Sequence, residues 1–244
     1  MTEFLVGTSG FSYPSWRGVF YPDKLPASGM LAFYAGIFGA VEINNTFYRM
    51  PAPALLSGWT AQTPETFRLV LKAPQQITHR LRLKDAAEAA AEFVRRSAAL
   101  GEQRGPLLFQ LPPNLKADLA RLEIFLGALP AGIEPAFEFR HDSWFQDATW
   151  ALLRAHGAAV CIAQTDDLDT PVVRTAPFGY VRLRREDYPD AELAGWTARL
   201  RAVEGWERVY VFLKHDEAGR APALARRFLD KLQGQGHPKT RPGP

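Results

Sequence analysis

Short apolar runs alternate with longer stretches of three- and four-residue apolar spacing along almost the whole chain. The short runs read as strands at 4–8, 40–44, 67–72, 107–111, 136–140, 158–163, 179–183 and 209–214. Helical spacing is clearest over 86–100, an Ala-rich stretch with Phe93, Val94 and Leu100 and with Asp85 placed as its N-cap. Similar patterns cover 119–129, 148–155, 193–203 and 221–232. Eight strands interleaved with helices predict a parallel sheet covered by helices, closed as a TIM-like (β/α)8 barrel. The connection after the sixth strand, 166–177, holds two prolines and little helical pattern, so no regular helix is expected there. A doubly wound open sheet is the alternative, but no Gly-rich phosphate loop follows the first strand.

Period-two alternation then sorts the strand residues, because the outer face of a barrel strand meets helices and must be apolar. Val41, Ile43, Leu69, Leu71, Phe109, Phe137 and Phe139 fit the outside. That turns Glu42 and Asn44, Val70 and Lys72, Gln110, Glu138 and Arg140 inward. The last two strands contribute Tyr180, Arg182 and Arg184, and Tyr210, Phe212 and Lys214; the first offers Gly7 and Ser9. The polar members cluster at strand carboxyl ends, the face where barrel active sites lie.

Charge changes the picture locally rather than globally. The 244 residues carry a formal net charge of only +3, with 47% apolar and 23% charged residues, as in an ordinary globular protein. Among the inward residues, however, Lys72, Arg140, Arg182, Arg184 and Lys214 face Glu42 and Glu138, and five minus two leaves a surplus of three positive charges. Unpaired buried charge is costly, so an anionic ligand is expected to balance them. The competing reading is an internal ion-pair network that merely fills the barrel, with both glutamates as anchors.

The segment GTSGFSYPSW, from Gly7 to Trp16, poses a second question. Five rings, Phe11, Tyr13, Trp16, Phe20 and Tyr21, follow the first strand before any helical pattern begins. Trp16, Tyr21, Tyr48 and Trp144 are placed at the same mouth, where rings can stack on a sugar or a base. Phe11, Phe20 and Phe47, lacking a polar tip, fit a hydrophobic plug equally well.

Other chemistry is weaker. Of five histidines, His156 falls in a helix and His237 in the last residues, leaving His79, His141 and His215 in loops. With Glu42, Glu138 and Asp166 they could serve a single ion at most, and the cationic neighbours oppose it, so no metal and no cofactor are expected. The lone Cys161 sits in an apolar run and reads as core; no nucleophile-elbow sequence surrounds Ser9. The N-terminus has neither the basic nor the apolar region of a signal peptide, and no apolar stretch reaches the roughly 18 residues that span a bilayer, which predicts a cytoplasmic protein without membrane contact. Residues 1–233 are expected to form one domain and 234–244 a disordered tail.

Several motifs stand in order along the chain: GTSGF with Trp16 and FYP, VEINNTFYRMP, LKAPQQITH, GPLLFQLPP and EFRHDSW. Together they resemble the YecE-like domain-of-unknown-function family, the seventy-second of that series. The resemblance implies a TIM barrel. It implies no established activity, and the family's likeness to barrel nucleases of the endonuclease-four type is one of fold alone. This chain departs from the family pattern at two strands. It reads YVRLRR where the family has Tyr-x-Arg-Leu-His-Gly, so Arg184 replaces a histidine. It has Leu213 and Lys214 where the family has asparagines.

The functional expectation is a cationic, aromatic-rimmed pocket that binds or acts on a phosphorylated or nucleic-acid-related substrate. Its catalytic candidates are Glu42, Lys72, Glu138 and Arg140. Its binding candidates are Ser9, Trp16, Tyr21, Asn44, Tyr48, His79, Gln110, His141, Trp144, Asp166, Arg182 and Lys214. A hydrolase acting on phosphate-containing substrates fits this set. The alternatives are a metal-free sugar hydrolase or isomerase using Glu42 and Glu138, and a non-catalytic barrel that binds a ligand or partner.

Overall fold

A computed structural model describes residues 2–214 and 219–234. Eight strands are present: β1 Glu3–Thr8, β2 Ala40–Ile43, β3 Arg68–Lys72, β4 Arg104–Gln110, β5 Pro135–Glu138, β6 Ala159–Gln164, β7 Phe178–Leu183 and β8 Arg208–Leu213. All ladders are parallel, and the order β1-β8-β7-β6-β5-β4-β3-β2 forms one nearly closed sheet. The helices are α1 Met30–Ala35, α2 Pro53–Thr60, α3 Ala87–Ser97, α4 Leu119–Ala128, α5 Asp147–Ala155, α6 Asp190–Arg201 and α7 Arg220–Gly234. No helix joins β6 to β7, as the two prolines there imply.

The alternation of the strands is visible in the packing. Val41, Ile43, Leu69, Leu71, Phe109, Phe137, Val181 and Leu183 belong to the large cluster under the helices. Leu5, Ala40, Val70, Leu108, Ala136, Cys161, Tyr180, Tyr210 and Phe212 form a separate cluster inside the barrel. The apolar interior lies below, and the charged residues lie above it at the carboxyl ends.

Closure is incomplete at two seams. Between β1 and β2 the pairing reduces to one bridge, Ser9 to Glu42, where Gly10 N donates to Glu42 O at 2.7 Å. Just below it, the Tyr34 hydroxyl from α1 accepts from Thr8 N at 2.7 Å and reaches Ala40 O at 3.3 Å, spanning the gap in place of a backbone ladder. On the far side, β5 and β6 pair only at Ala136–Ala159 and Phe137–Val160. Above those pairs β5 stays with β4, through Leu111 N to Glu138 O at 2.9 Å, and β6 stays with β7, through Arg184 N to Gln164 O at 3.0 Å. The seam therefore opens toward the mouth.

Some details differ from the sequence reading. Asp85 does not cap α3: the N-cap position is Ala86, without a side-chain hydrogen bond. Asp85 instead ends a run in which Arg82, Leu83 and Asp85 all take positive φ. The helix predicted to Leu100 leaves α-geometry after Ser97 and continues as a 3-10 turn. Strand β2 ends at Ile43 and β5 at Glu138, one and two residues short of the predicted ends. Of the predicted tail, Gly234 closes α7 and the rest lies outside the described residues, as do His215 and His237.

Candidate functional site

The mouth is organised by one arginine and two glutamates. Arg182, 2% exposed at the end of β7, donates from Nη2 to Glu42 Oε1 of β2 at 2.7 Å and from Nη1 to Glu138 Oε2 of β5. Glu42 is further held by Ser9 Oγ at 2.9 Å, by Asn44 Nδ2 at 3.1 Å and by the Tyr180 hydroxyl at 2.7 Å. Glu138 accepts from Gln110 Nε2 at 2.8 Å, and Gln110 Oε1 accepts from Lys72 Nζ at 2.7 Å. Arg140 Nε lies 3.2 Å and Arg184 Nη1 3.5 Å from Glu138 Oε1. Three guanidinium groups thus converge on one carboxylate.

Charge follows from this arrangement. Burial alone would raise both glutamates. For Glu138 the opposing pull of Arg182, Arg184 and Arg140, with the Gln110 hydrogen bond, is larger and holds it down at about 2. Glu42 is likewise lowered, by Arg182 and by the Tyr180 and Ser9 hydroxyls acting against its burial. Both are firmly ionised. Burial and then the nearby Arg182 push Lys72 the other way, from 10.5 down to about 8, despite the pull of Glu138 and Glu42.

The open β5–β6 seam forms a pocket of about 380 Å³ beside this cluster, lined among others by Glu138, Arg140, Thr165, Asp166, Asp167 and Arg184. The cluster beside it is net cationic: Lys72, Arg140, Arg182 and Arg184 against Glu42 and Glu138 leave four minus two, or two positive charges, and of these Arg140, Arg184 and Glu138 line the pocket itself. The Asp166 and Asp167 side chains sit exposed at the rim. Among the described residues no three His, Cys, Asp or Glu side chains are grouped as a metal site.

Of the residues singled out from sequence, Ser9, Glu42, Asn44, Lys72, Gln110, Glu138, Arg140 and Arg182 share this connected cluster, and Asp166 stands at the pocket edge. Lys214 is half-buried at the end of β8, its backbone N bonded to Leu183 O at 3.0 Å. His79 packs edge-to-face on Phe47, with ring centroids 4.8 Å apart. His141 turns back on its own loop, Nδ1 accepting from Ser143 N at 3.2 Å.

The rings answer the question raised by GTSGFSYPSW. Trp16 is fully buried, packed against Tyr13, Phe20 and Tyr21, and Phe20 and Tyr21 pack in turn on Phe33 of α1. Trp144 is buried too, stacked on Phe139 at 4.6 Å with its Nε1 donating to Leu115 O. These loops fold back as plugs, so Trp16, Tyr21 and Trp144 offer no open face to a ligand. Tyr48, by contrast, is 76% exposed. Tyr180 and Arg184, turned inward by the same parity as Arg182 but not counted among the binding candidates, join the cluster. Thr165 and Asp167 are not among the sequence candidates, because loop residues carry no periodic signal.

No helix among the described residues is long and apolar enough to cross a membrane. The chain matches the family model "Protein of unknown function DUF72" over residues 5–244. It is 30% identical to the UPF0759 protein YecE of Escherichia coli K12 over 257 aligned positions, covering 93% of this chain and 92% of that protein. A DUF72 family protein from Thermotoga maritima superposes with a TM-score of 0.84 at 29% identity, covering 95% and 99% of the two chains. A GH5_18 protein of Bifidobacterium longum, crystallised with Manβ1-4GlcNAc, shares the barrel at a TM-score of 0.57 and 12% identity, covering 99% of this chain and 80% of that one. That last likeness is one of fold alone. With nearly its whole length matched by the family model and by a relative at 30% identity, the chain belongs to the DUF72 family.

Proposed function

We propose that the mouth binds a small phosphorylated molecule, with the phosphoryl group against Arg140 and Arg184 in the β5–β6 pocket. The convergence of Arg140, Arg182 and Arg184 on Glu138 carries this reading, since Glu138 and Glu42 together cannot balance three guanidiniums and the Lys72 ammonium in a half-dry site. Arginine forks match phosphate oxygens in geometry as well as charge.

The rim narrows the ligand class. Asp166 and Asp167 would repel a polyphosphate strand running across the mouth, which weighs against nucleic acid. The same carboxylates accept hydrogen bonds from hydroxyls, so a sugar phosphate suits a cationic floor under an acidic rim. Sugar hydrolysis by Glu42 and Glu138 is disfavoured, because a general acid needs a raised pKa and both groups are lowered.

Thermal melting tests the reading. Phosphate or sulfate should raise the melting temperature above chloride at equal ionic strength, and Arg184→Met should erase the difference. Equal stabilisation by all three salts would refute it.

A further inference from the structure

We propose that Lys72 forms an imine with the carbonyl group of a phosphorylated aldehyde or ketone bound at this mouth. The inference rests on the phosphate reading above and adds a reaction to it.

Lys72 stands at the carboxyl end of β3 with a neutral acceptor as its hydrogen-bond partner, Gln110 Oε1 at 2.7 Å. Its Nζ lies 4.1 Å from the centre of the Phe47 ring, and no salt bridge among the described residues includes it. A lysine kept for charge balance would be set against Glu42 or Glu138, but Arg182 occupies both. Gln110 joins Lys72 to the pocket-lining Glu138, which places the amine one amide beyond the pocket floor. Apolar contact and neighbouring cations are how a protein makes a lysine nucleophilic. Its fall to about 8 follows from burial first and Arg182 second.

The surrounding backbone supports a built site. The segment after β3 makes a π-helical turn, Gln76–Arg80, and then places Arg82, Leu83 and Asp85 at positive φ. Such turns and such strain gather at functional positions. Here the turn sets His79 on the same Phe47 ring that Lys72 touches. Burial, then Lys72 and Arg140, lower His79 and so favour its neutral form.

The chemistry balances without an oxidant or reductant. The Lys72 nitrogen pair attacks the carbonyl carbon, and the carbonyl π pair moves to oxygen. A proton passes from nitrogen to that oxygen, with His79 as carrier, giving a carbinolamine. The nitrogen pair then expels the hydroxyl, which leaves as water after taking a proton from His79, and the iminium N–H proton returns to His79, leaving a C=N bond. Amine plus carbonyl gives imine plus water.

Reductive trapping tests this on the full chain. The protein is treated with dihydroxyacetone phosphate or dihydroxyacetone and then borohydride, and adducts are located by peptide mass mapping. At neutral pH a lysine near 8 holds on the order of 100-fold more neutral amine than one near 10.5. One adduct per chain is expected at Lys72, formed on the order of 100-fold faster than at exposed lysines and faster with the phosphorylated probe. Lys72→Met, which keeps the apolar stem, should melt cooperatively and lose that adduct. Labelling spread evenly over lysines, or absent at Lys72, would overturn the imine; phosphate-specific stabilisation could then still hold. Equal trapping of both probes at Lys72 would keep the imine and remove the phosphate reading.

Discussion

Arg182 ties Glu42 to Glu138 across the barrel, its two terminal nitrogens holding one carboxylate each. Strands β2, β5 and β7 are not neighbours in the sheet, so this contact is a strut through the interior rather than a ladder partner. Removing one member of a buried ion cluster strands the others, at about 3–5 kcal/mol. Arg182→Met should lower the unfolding free energy by that order in urea titrations. Adding Glu42→Gln should restore part of it, because Glu138 keeps Arg140 and Arg184 and no carboxylate is left without a cation. A double variant no more stable than the single one would show that the cluster is held by something other than charge.

Acid sensitivity follows from Glu138. Its folded pKa, about 2, lies below the ordinary glutamate value of 4.5, so the folded state binds the proton more weakly than the unfolded chain does. Its contribution is complete above about 4.5 and is lost as pH falls toward 2. Glu42 shifts in the same direction. Urea midpoints should fall steeply through that window, and Glu138→Gln should flatten the slope. An unchanged slope would mean that Glu138 is not held ionised.

Lys72 acts in the opposite sense at alkaline pH. Its folded value is about 8 against 10.5, so between those values the unfolded chain binds the extra proton and stability rises with pH. The rise is best read on a Cys161→Ala background between about 8 and about 9.5. Cys161, raised mainly by burial, favours the unfolded chain in that window, and Tyr21 and Tyr34, raised the same way, do so only above it. Lys72→Met should be more stable than the parent at neutral pH and should lose the rise. A destabilised, equally pH-dependent variant would contradict this.

Much of the barrel was legible because side-chain alternation is a strict period of two. Once Val41 and Ile43 face helices, Glu42 must face inward, and the same step places Lys72, Gln110, Glu138 and Arg182. The aromatic loops were not legible in this way. Nothing in the spacing of Trp16, Tyr21 or Trp144 distinguishes a ring that walls a pocket from one that plugs a loop, since both occur in non-periodic segments. The pocket itself arises where β5 and β6 part, a register feature that depends on both strands at once and so leaves no mark on either. Asp85 carried a capping residue's identity, yet its positive φ takes it out of a capping conformation.

The other seam yields the last prediction. Along β1 alternate amides face alternate neighbours: Ser9 N donates to Leu213 O at the end of β8, which leaves Thr8 N directed toward β2. No strand partner meets it there, and the Tyr34 hydroxyl accepts its proton at 2.7 Å. The same oxygen lies 2.9 Å from Thr8 Oγ1, whose own hydrogen goes to Gly10 O at 2.6 Å. The Tyr34 proton is therefore directed to Thr8 Oγ1 or to Ala40 O. Gly7 makes the approach possible, since a Cβ there would stand 1.9 Å from Ala40 O and 2.8 Å from the Tyr34 hydroxyl. Tyr34→Phe keeps the fully buried ring among Phe20, Phe38 and Phe67 but leaves a buried amide without an acceptor. The cost should be about 1–3 kcal/mol, with the Thr8 amide among those whose hydrogen exchange speeds most. Gly7→Ala should cost more, because its clash is with backbone that cannot rotate away. A Tyr34→Phe variant of parental stability, with Thr8 exchange unchanged, would mean that the strands close the gap unaided and that the hydroxyl is no strut.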